Sequence, residues 1–109
     1  MKNKKTKEEE IEEVNMYGIT FDLDTHILED EYNIERSKAY SIVTTELEKL
    51  GFKHFKYSIY ICPEYKKELL LVYYVVNALK KYEWFNAAVH DIIAFKLDMW
   101  SEITEAFKK

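Results

Sequence analysis

The stretch Tyr17-Gly18-Ile19-Thr20-Phe21-Asp22-Leu23 decides the fold. Tyr17, Ile19, Phe21 and Leu23 alternate with Gly18, Thr20 and Asp22, a period of two that predicts a half-buried strand. A strand with one apolar face needs a second layer to cover it. Residues 24–32 hold four acids and read as a loop. From Asn33 the period changes, and Tyr40, Val43, Leu47 and Leu50 fall on one helix face. Asn33 suits the N-cap of that helix and Gly51 its C-terminal stop. Phe55, Tyr57, Ile59 and Ile61 then alternate with Lys56, Ser58, Tyr60 and Cys62, a second strand that Pro63 ends.

Residues 64–82 predict a helix. Leu69, Val72, Val76 and Leu79 form its stripe, with Lys66, Lys67, Lys80 and Lys81 outside it. The run 69–76 is apolar throughout, wider than one buried face requires, which implies cover on two sides, partly by another chain. Trp84 and Phe85 follow a short turn. Ile93, Phe95 and Leu97 alternate with Ile92, Ala94 and Lys96, a further strand, and Trp100, Ile103 and Phe107 are spaced for a closing helix. The order β-α-β-α-β implies an α+β two-layer sandwich of the ferredoxin-like kind, helices on one face of a small antiparallel sheet. That arrangement has four strands, so either the stretch 55–62 bends into two or a partner supplies one.

The chain has 109 residues, one domain's worth. Residues 1–15 segregate four lysines from five glutamates and read as a charged, flexible extension, leaving 16–109 as the folded unit. Two glycines and one proline are too few for a sandwich or barrel of tight turns, and cannot build a dinucleotide fingerprint, a P-loop or a nucleophile elbow. One cysteine excludes an intrachain disulfide framework or a multi-cysteine zinc site. No apolar run is long enough to cross a membrane or to serve as a secretory signal, so the expected compartment is cytoplasmic. A net charge of −4, with Arg36 the sole arginine, argues against a broad basic footprint for nucleic acid. Any such function must come from local sites.

With the apolar parity facing the helices, Thr20 and Asp22 share the open face with Lys56, Ser58 and Tyr60. Asp22 and Asp24 suit either a hard divalent cation and acid–base work or the capping of a loop. Ser58 can hydrogen-bond a phosphate or be a tolerated polar strand position. His26, His54 and His90 show no metal-ligand spacing. His90 beside Asp91 is either an oriented base or a surface residue. Asp91 shares the parity of Ile93 and is expected to point inward. Cys62 reads as a packing residue. On residues alone, the chain is a small cytoplasmic α+β domain, dimeric.

The segments 16–24, 50–52 (Leu50-Gly51-Phe52), 57–60 (Tyr57-Ser58-Ile59-Tyr60), Glu83-Trp84-Phe85, Val89-His90-Asp91-Ile92 and Ala94-Phe95-Lys96 together resemble the virulence-associated protein D (VapD) family across residues 16–109. The resemblance implies a ferredoxin-like homodimer and an endoribonuclease that cleaves RNA, the toxin of a bacterial toxin–antitoxin pair with a small protein antitoxin. It makes Asp22 the lead catalytic candidate, supported by Ser58 and Asp91. Lys56, Tyr60 and His90 become substrate-binding candidates, and Asp22 and Asp24 candidates for a divalent cation such as Mg²⁺. Two Asp22 carboxylates are expected to approach across the dimer axis. The chain departs from the family where His90 and Ile93 replace arginines, and at Ile61-Cys62-Pro63, where members carry a glycine turn. Those lost arginines favour the alternative, a non-catalytic nucleic-acid-binding or protein-interaction dimer of the same fold.

Overall fold

In the computed structural model, residues 15–65 and 68–97 are described. Strand β1 (Asn15–Leu23) leads through α1 (Thr25–Tyr32) and α2 (Arg36–Lys49) to β2 (Lys53–Lys56) and β3 (Ile59–Tyr65). Helices α3 (Glu68–Lys80) and α4 (Glu83–Ala88) then return the chain to β4 (Val89–Leu97). The strands form one four-stranded antiparallel sheet in the order β2-β3-β1-β4. The class is therefore α+β. The charged extension before Asn15 and the closing helix expected at Trp100, Ile103 and Phe107 lie outside the described residues.

The β1 reading holds in detail. Tyr17, Ile19, Phe21 and Leu23 are all buried, while Asp22 is exposed. Their core partners are Leu28 of α1, Ala39, Val43 and Leu47 of α2, Leu71, Val75 and Leu79 of α3, and Phe85 and Ala88 of α4. Among the described residues, these four helices cover the same sheet face. Each fully buried Leu or Phe contributes about 1.5–3 kcal/mol relative to exposure. Phe21 is the hub: its ring stacks on Tyr40 at 5.1 Å and on Tyr60 at 5.7 Å, and meets Phe85 edge-on at 6.4 Å.

Two local expectations are corrected. Residues 25–32 form a helix, because the Asp24 carboxylate accepts from the His26 and Ile27 amides and caps it. Leu28 is its one buried residue, too little to show a period in the sequence. Asn33 ends that helix in a left-handed conformation (φ 56°) instead of starting α2, which begins after Glu35. Gly51 does stop α2, at φ 99°. Trp84 and Phe85 sit in the helix α4.

The segment 55–62 does divide into two strands, so the fourth strand comes from the chain itself. The division inverts the expected parity, however. Tyr60 and Cys62 are buried toward the helices, and Ile59 and Ile61 turn to the other face. Lys56 pairs with Ile59, so the hairpin loop is Tyr57-Ser58, with Tyr57 at φ 53°. That loop, absent from the expected pattern, shifts the phase. Pro63 lies within β3, at the bulge between the Tyr17↔Cys62 and Asn15↔Tyr65 pairs, where its missing amide costs the ladder little.

The parity of β4 is inverted too. Ile92 and Ala94 lie opposite Phe21 and Ile19, while Asp91 and Ile93 lie opposite Asp22 and Thr20 on the uncovered face. Asp91 therefore does not point inward; its side chain is 53% exposed. Phe95 lies opposite Gly18 and folds its ring over it, and a Cβ at Gly18 would stand 2.4 Å from the ring edge. That close approach is the requirement for glycine in the central strand.

Candidate active site

A polar cavity of about 440 Å³ opens at the end of the sheet where β1 finishes, α2 begins and the β2–β3 hairpin turns. Asp22, Arg36, Tyr40, Ser41, Thr44, His54, Tyr57, Ser58 and Tyr60 line it, with Ser37. The chain folds this way for local reasons. At the Asp22–Leu23 bulge the β1–β4 register slips by one residue. The Leu23 amide donates to the Tyr40 hydroxyl at 3.3 Å. That bond ties the start of α2 to the end of β1. Arg36 lies one turn before Tyr40 and lays its guanidinium over that ring, 4.4 Å from the centroid. The chain's sole arginine is thereby fixed on the wall that also carries Asp22.

The opposite wall is just as firmly built. Tyr60 packs on Phe21 and shares a 2.6 Å hydrogen bond with Thr44. His54 lies against the Tyr60 ring at 4.8 Å, and its Nε2 donates to the Tyr57 carbonyl. A carbonyl can only accept, so Nε2 carries the proton and Nδ1 is left as an acceptor. The Ser58 hydroxyl shares a 3.2 Å hydrogen bond with Thr20. The cavity thus offers an exposed carboxylate, a guanidinium, an imidazole and a set of hydroxyls. That set can hold a phosphodiester and move protons to and from it.

Of the residues singled out in the sequence, Asp22, Ser58 and Tyr60 meet in this cavity. Tyr60 does so from the helix side, as a buried wall, and not from the open face. Lys56 stands outside the lining, its ammonium 5.6 Å from the Phe55 ring centroid. His90 and Asp91 sit together on β4, 3.6 Å apart, also outside it. Sequence reasoning passed over Arg36, Tyr40, Thr44 and His54. A signal existed: Arg36, Tyr40 and Thr44 recur at i, i+4 and i+8 along one helix row.

The carboxylates can be weighed as ligands for a divalent cation. Asp24 spends one oxygen on two helix amides and is poorly placed to serve. Asp22 and Asp91 face each other across β1 and β4, both exposed. Mg²⁺ is commonly held by one or two carboxylates with water completing its shell, so this pair fits such an ion. No larger cluster of His, Cys, Asp or Glu suited to a metal exists among the described residues.

A second charged cluster lies away from the cavity. Glu46 of α2 is buried, accepts from the Tyr82 hydroxyl at 2.5 Å, and pairs with Lys81 at 3.2 Å and Lys49 at 4.0 Å. The Tyr82 hydrogen bond is the main reason its carboxyl titrates below the usual range, and the two lysines add to it against the cost of burial. The same bond pushes the Tyr82 phenol up.

No protein-family model matches the chain. Individual relatives do. The chain is 41% identical over 93 residues to Endoribonuclease VapD of Helicobacter pylori, covering 85% of this chain and 99% of that protein. It is 36% identical over 93 residues to Endoribonuclease VapD of Dichelobacter nodosus, with 85% and 98% covered. With the Endoribonuclease VapD homolog of Neisseria gonorrhoeae it shares 32% identity over 93 residues, 85% and 99% of the two chains.

Proposed function

The chain belongs to the VapD family, and from that premise we propose that it is an endoribonuclease whose reaction runs in the cavity between β1, α2 and the β2–β3 hairpin. The observation that carries this reading is the convergence of Asp22, Arg36, His54 and Ser58 on one cavity. Arg36 grips a non-bridging phosphate oxygen pair through its forked donors, and Ser58 adds a hydroxyl. Asp22 accepts the proton of the ribose 2′-hydroxyl, whose oxygen attacks the adjacent phosphorus. The bond to the 5′-oxygen breaks, and the leaving oxygen takes a proton from protonated His54 or from water. The products are a 2′,3′-cyclic phosphate and a 5′-hydroxyl. Asp22 and Asp91 would hold a divalent cation such as Mg²⁺, which when bound supplies positive charge against the phosphate.

We assign the protein a ferredoxin-like homodimer. The β-α-β-β-α-β order, with each helical step made of two helices, supports the fold. Exposed Leu70, Val72, Tyr73, Tyr74 and Val76 on α3, with exposed Ile92 and Ile93 on the edge strand β4, support a second copy as the missing cover. The role we propose is that of the toxin in a toxin–antitoxin pair, held in check by a small protein antitoxin, a reading that the family resemblance supports. No described helix is long and apolar enough to cross a membrane; the cytoplasm is the compartment where such a toxin meets RNA.

The test is cleavage of a labelled RNA by wild type and Asp22→Asn, in Mg²⁺ and in EDTA. Asp22→Asn should lower the rate by roughly 10²-fold or more while the fold survives. Equal cleavage by both proteins would remove Asp22 from the chemistry. No cleavage by wild type under either condition would leave the non-catalytic nucleic-acid-binding or protein-interaction dimer.

A further inference from the structure

The β2–β3 hairpin is closed by two residues, and the first of them is Tyr57, at φ 53°. Two-residue hairpin loops that need a positive φ normally place Gly, Asn or Asp there, because a Cβ is crowded in that conformation. A tyrosine at this position works against the turn. It gains no burial in return: Tyr57 is 86% exposed. Yet the turn is held firmly. The His54 ring donates to the Tyr57 carbonyl, His54 rests on Tyr60, and Tyr60 rests on Phe21. Backbone strain kept in place by its surroundings is a mark of a functional position.

The residue also stands in a telling place. Tyr57 belongs to the rim of the cavity that holds Asp22 and Ser58, with Arg36 in the same lining. An aromatic face beside a guanidinium is the pairing that binds single-stranded nucleic acid: a base lies on the ring while the backbone phosphate meets the cation. Bases inside a duplex are stacked on each other and cannot lie on a side chain. Among the described residues, the other tyrosine more than half exposed is Tyr73, which lies on α3 with exposed Leu70, Val72 and Val76.

We propose that Tyr57 is a stacking platform for an unpaired base next to the scissile phosphate, and that it restricts this site to single-stranded RNA. The proposal rests on the assignment of the cavity as the RNA site. Its test separates the two. Binding of a 2′-O-methyl RNA oligomer, which cannot be cleaved by attack of the 2′-oxygen, is measured for wild type, Tyr57→Asn and Tyr57→Phe, beside thermal melts and steady-state cleavage. Asparagine tolerates the positive φ, so Tyr57→Asn should melt at or above the wild-type temperature while binding the oligomer roughly tenfold more weakly. KM should rise by more than kcat falls. Tyr57→Phe keeps the ring and should restore binding. A duplex of the same sequence should bind wild type no better than it binds Tyr57→Asn.

Unchanged binding in Tyr57→Asn would overturn the platform, whatever the cleavage assay shows. So would a large drop in its melting temperature, which would make the ring structural, or a Tyr57→Phe as weak as Tyr57→Asn. If wild type fails to cleave but loses oligomer binding in Tyr57→Asn, the platform stands and the catalytic assignment falls.

Discussion

Asp22 and Asp91 stand directly opposite each other on β1 and β4, both on the face that no described helix covers. Like charges so placed repel. His90 offsets part of this, with Nδ1 3.6 Å from the Asp91 carboxylate when the ring is protonated. Asp91→Asn should therefore raise stability by about 0.2–1 kcal/mol in EDTA. Millimolar Mg²⁺ should raise the wild-type melting temperature and leave that of Asp91→Asn nearly unmoved. Equal Mg²⁺ responses would show that the pair holds no ion.

Arg36 is held by a ring face and, in the proposed reaction, grips two phosphate oxygens with its fork of donors, two tasks that an ammonium performs poorly. Arg36→Lys should behave much like Arg36→Ala. Both should weaken RNA binding and slow cleavage by roughly tenfold or more, the scale of one charge-assisted hydrogen bond. Full activity in Arg36→Lys would mean that charge alone matters there.

The Glu46 cluster sets an acid limit on stability. Its carboxyl titrates lower in the folded protein than in the unfolded chain, so the folded state gains stability once pH exceeds the unfolded value. That gain is lost as pH falls through the folded value. The difference in melting temperature between wild type and Glu46→Gln should be constant near neutrality and shrink below about pH 4, where the unfolded group takes its proton. Tyr82→Phe removes the main cause and should cost about 1.5 kcal/mol at neutral pH. A Glu46→Gln difference that grows in acid would contradict the sign.

Gly18→Ala should cost about 1 kcal/mol or more, because Phe95 must swing off the strand to admit a methyl group. In a Phe95→Leu background the same substitution should cost measurably less, and urea melts of the four proteins give the coupling. Simple additivity would show that the ring is not the obstacle.

Light scattering at tens of micromolar should return twice the 13.1 kDa chain mass. Small domains bury only about 60% of their chain surface alone, and the exposed side chains of α3 show where the remainder can go. Val72→Glu with Val76→Glu should yield monomers. A wild-type monomer at that concentration would end the dimer assignment.

How much of this the sequence disclosed depended on burial. Strand β1 was legible because it is central and covered on one side, so Tyr17, Ile19, Phe21 and Leu23 had to be apolar. Strand β4 is an edge, with Ile92 and Ile93 both exposed, so alternation there carries little information about the core, and the parity of Asp91 was misread. The hairpin was hidden because Tyr57-Ser58 contains none of the residues that announce a turn. In the site, Asp22 was found from its strand position, and Ser58 from an expected strand that the structure replaces with the hairpin loop. Arg36 had a helical row with Tyr40 and Thr44 to announce it, whereas His54 was hidden because it joins the cavity from β2 and shares no period with the other lining residues.

The order of pairing has a kinetic consequence. Everything that lines the cavity lies between Asp22 and Tyr60, and β1, α2, β2 and β3 can assemble without the last third of the chain. The β1–β4 ladder instead joins residues about seventy positions apart, a contact whose loop-closure entropy must be met before it returns any stability. The nascent chain can therefore shape the proposed substrate cavity before β4 has emerged, while the carboxylate opposite Asp22 arrives last. Amide exchange should follow that division, with the β4 ladder opening at lower free energy than the β1–β3 ladder.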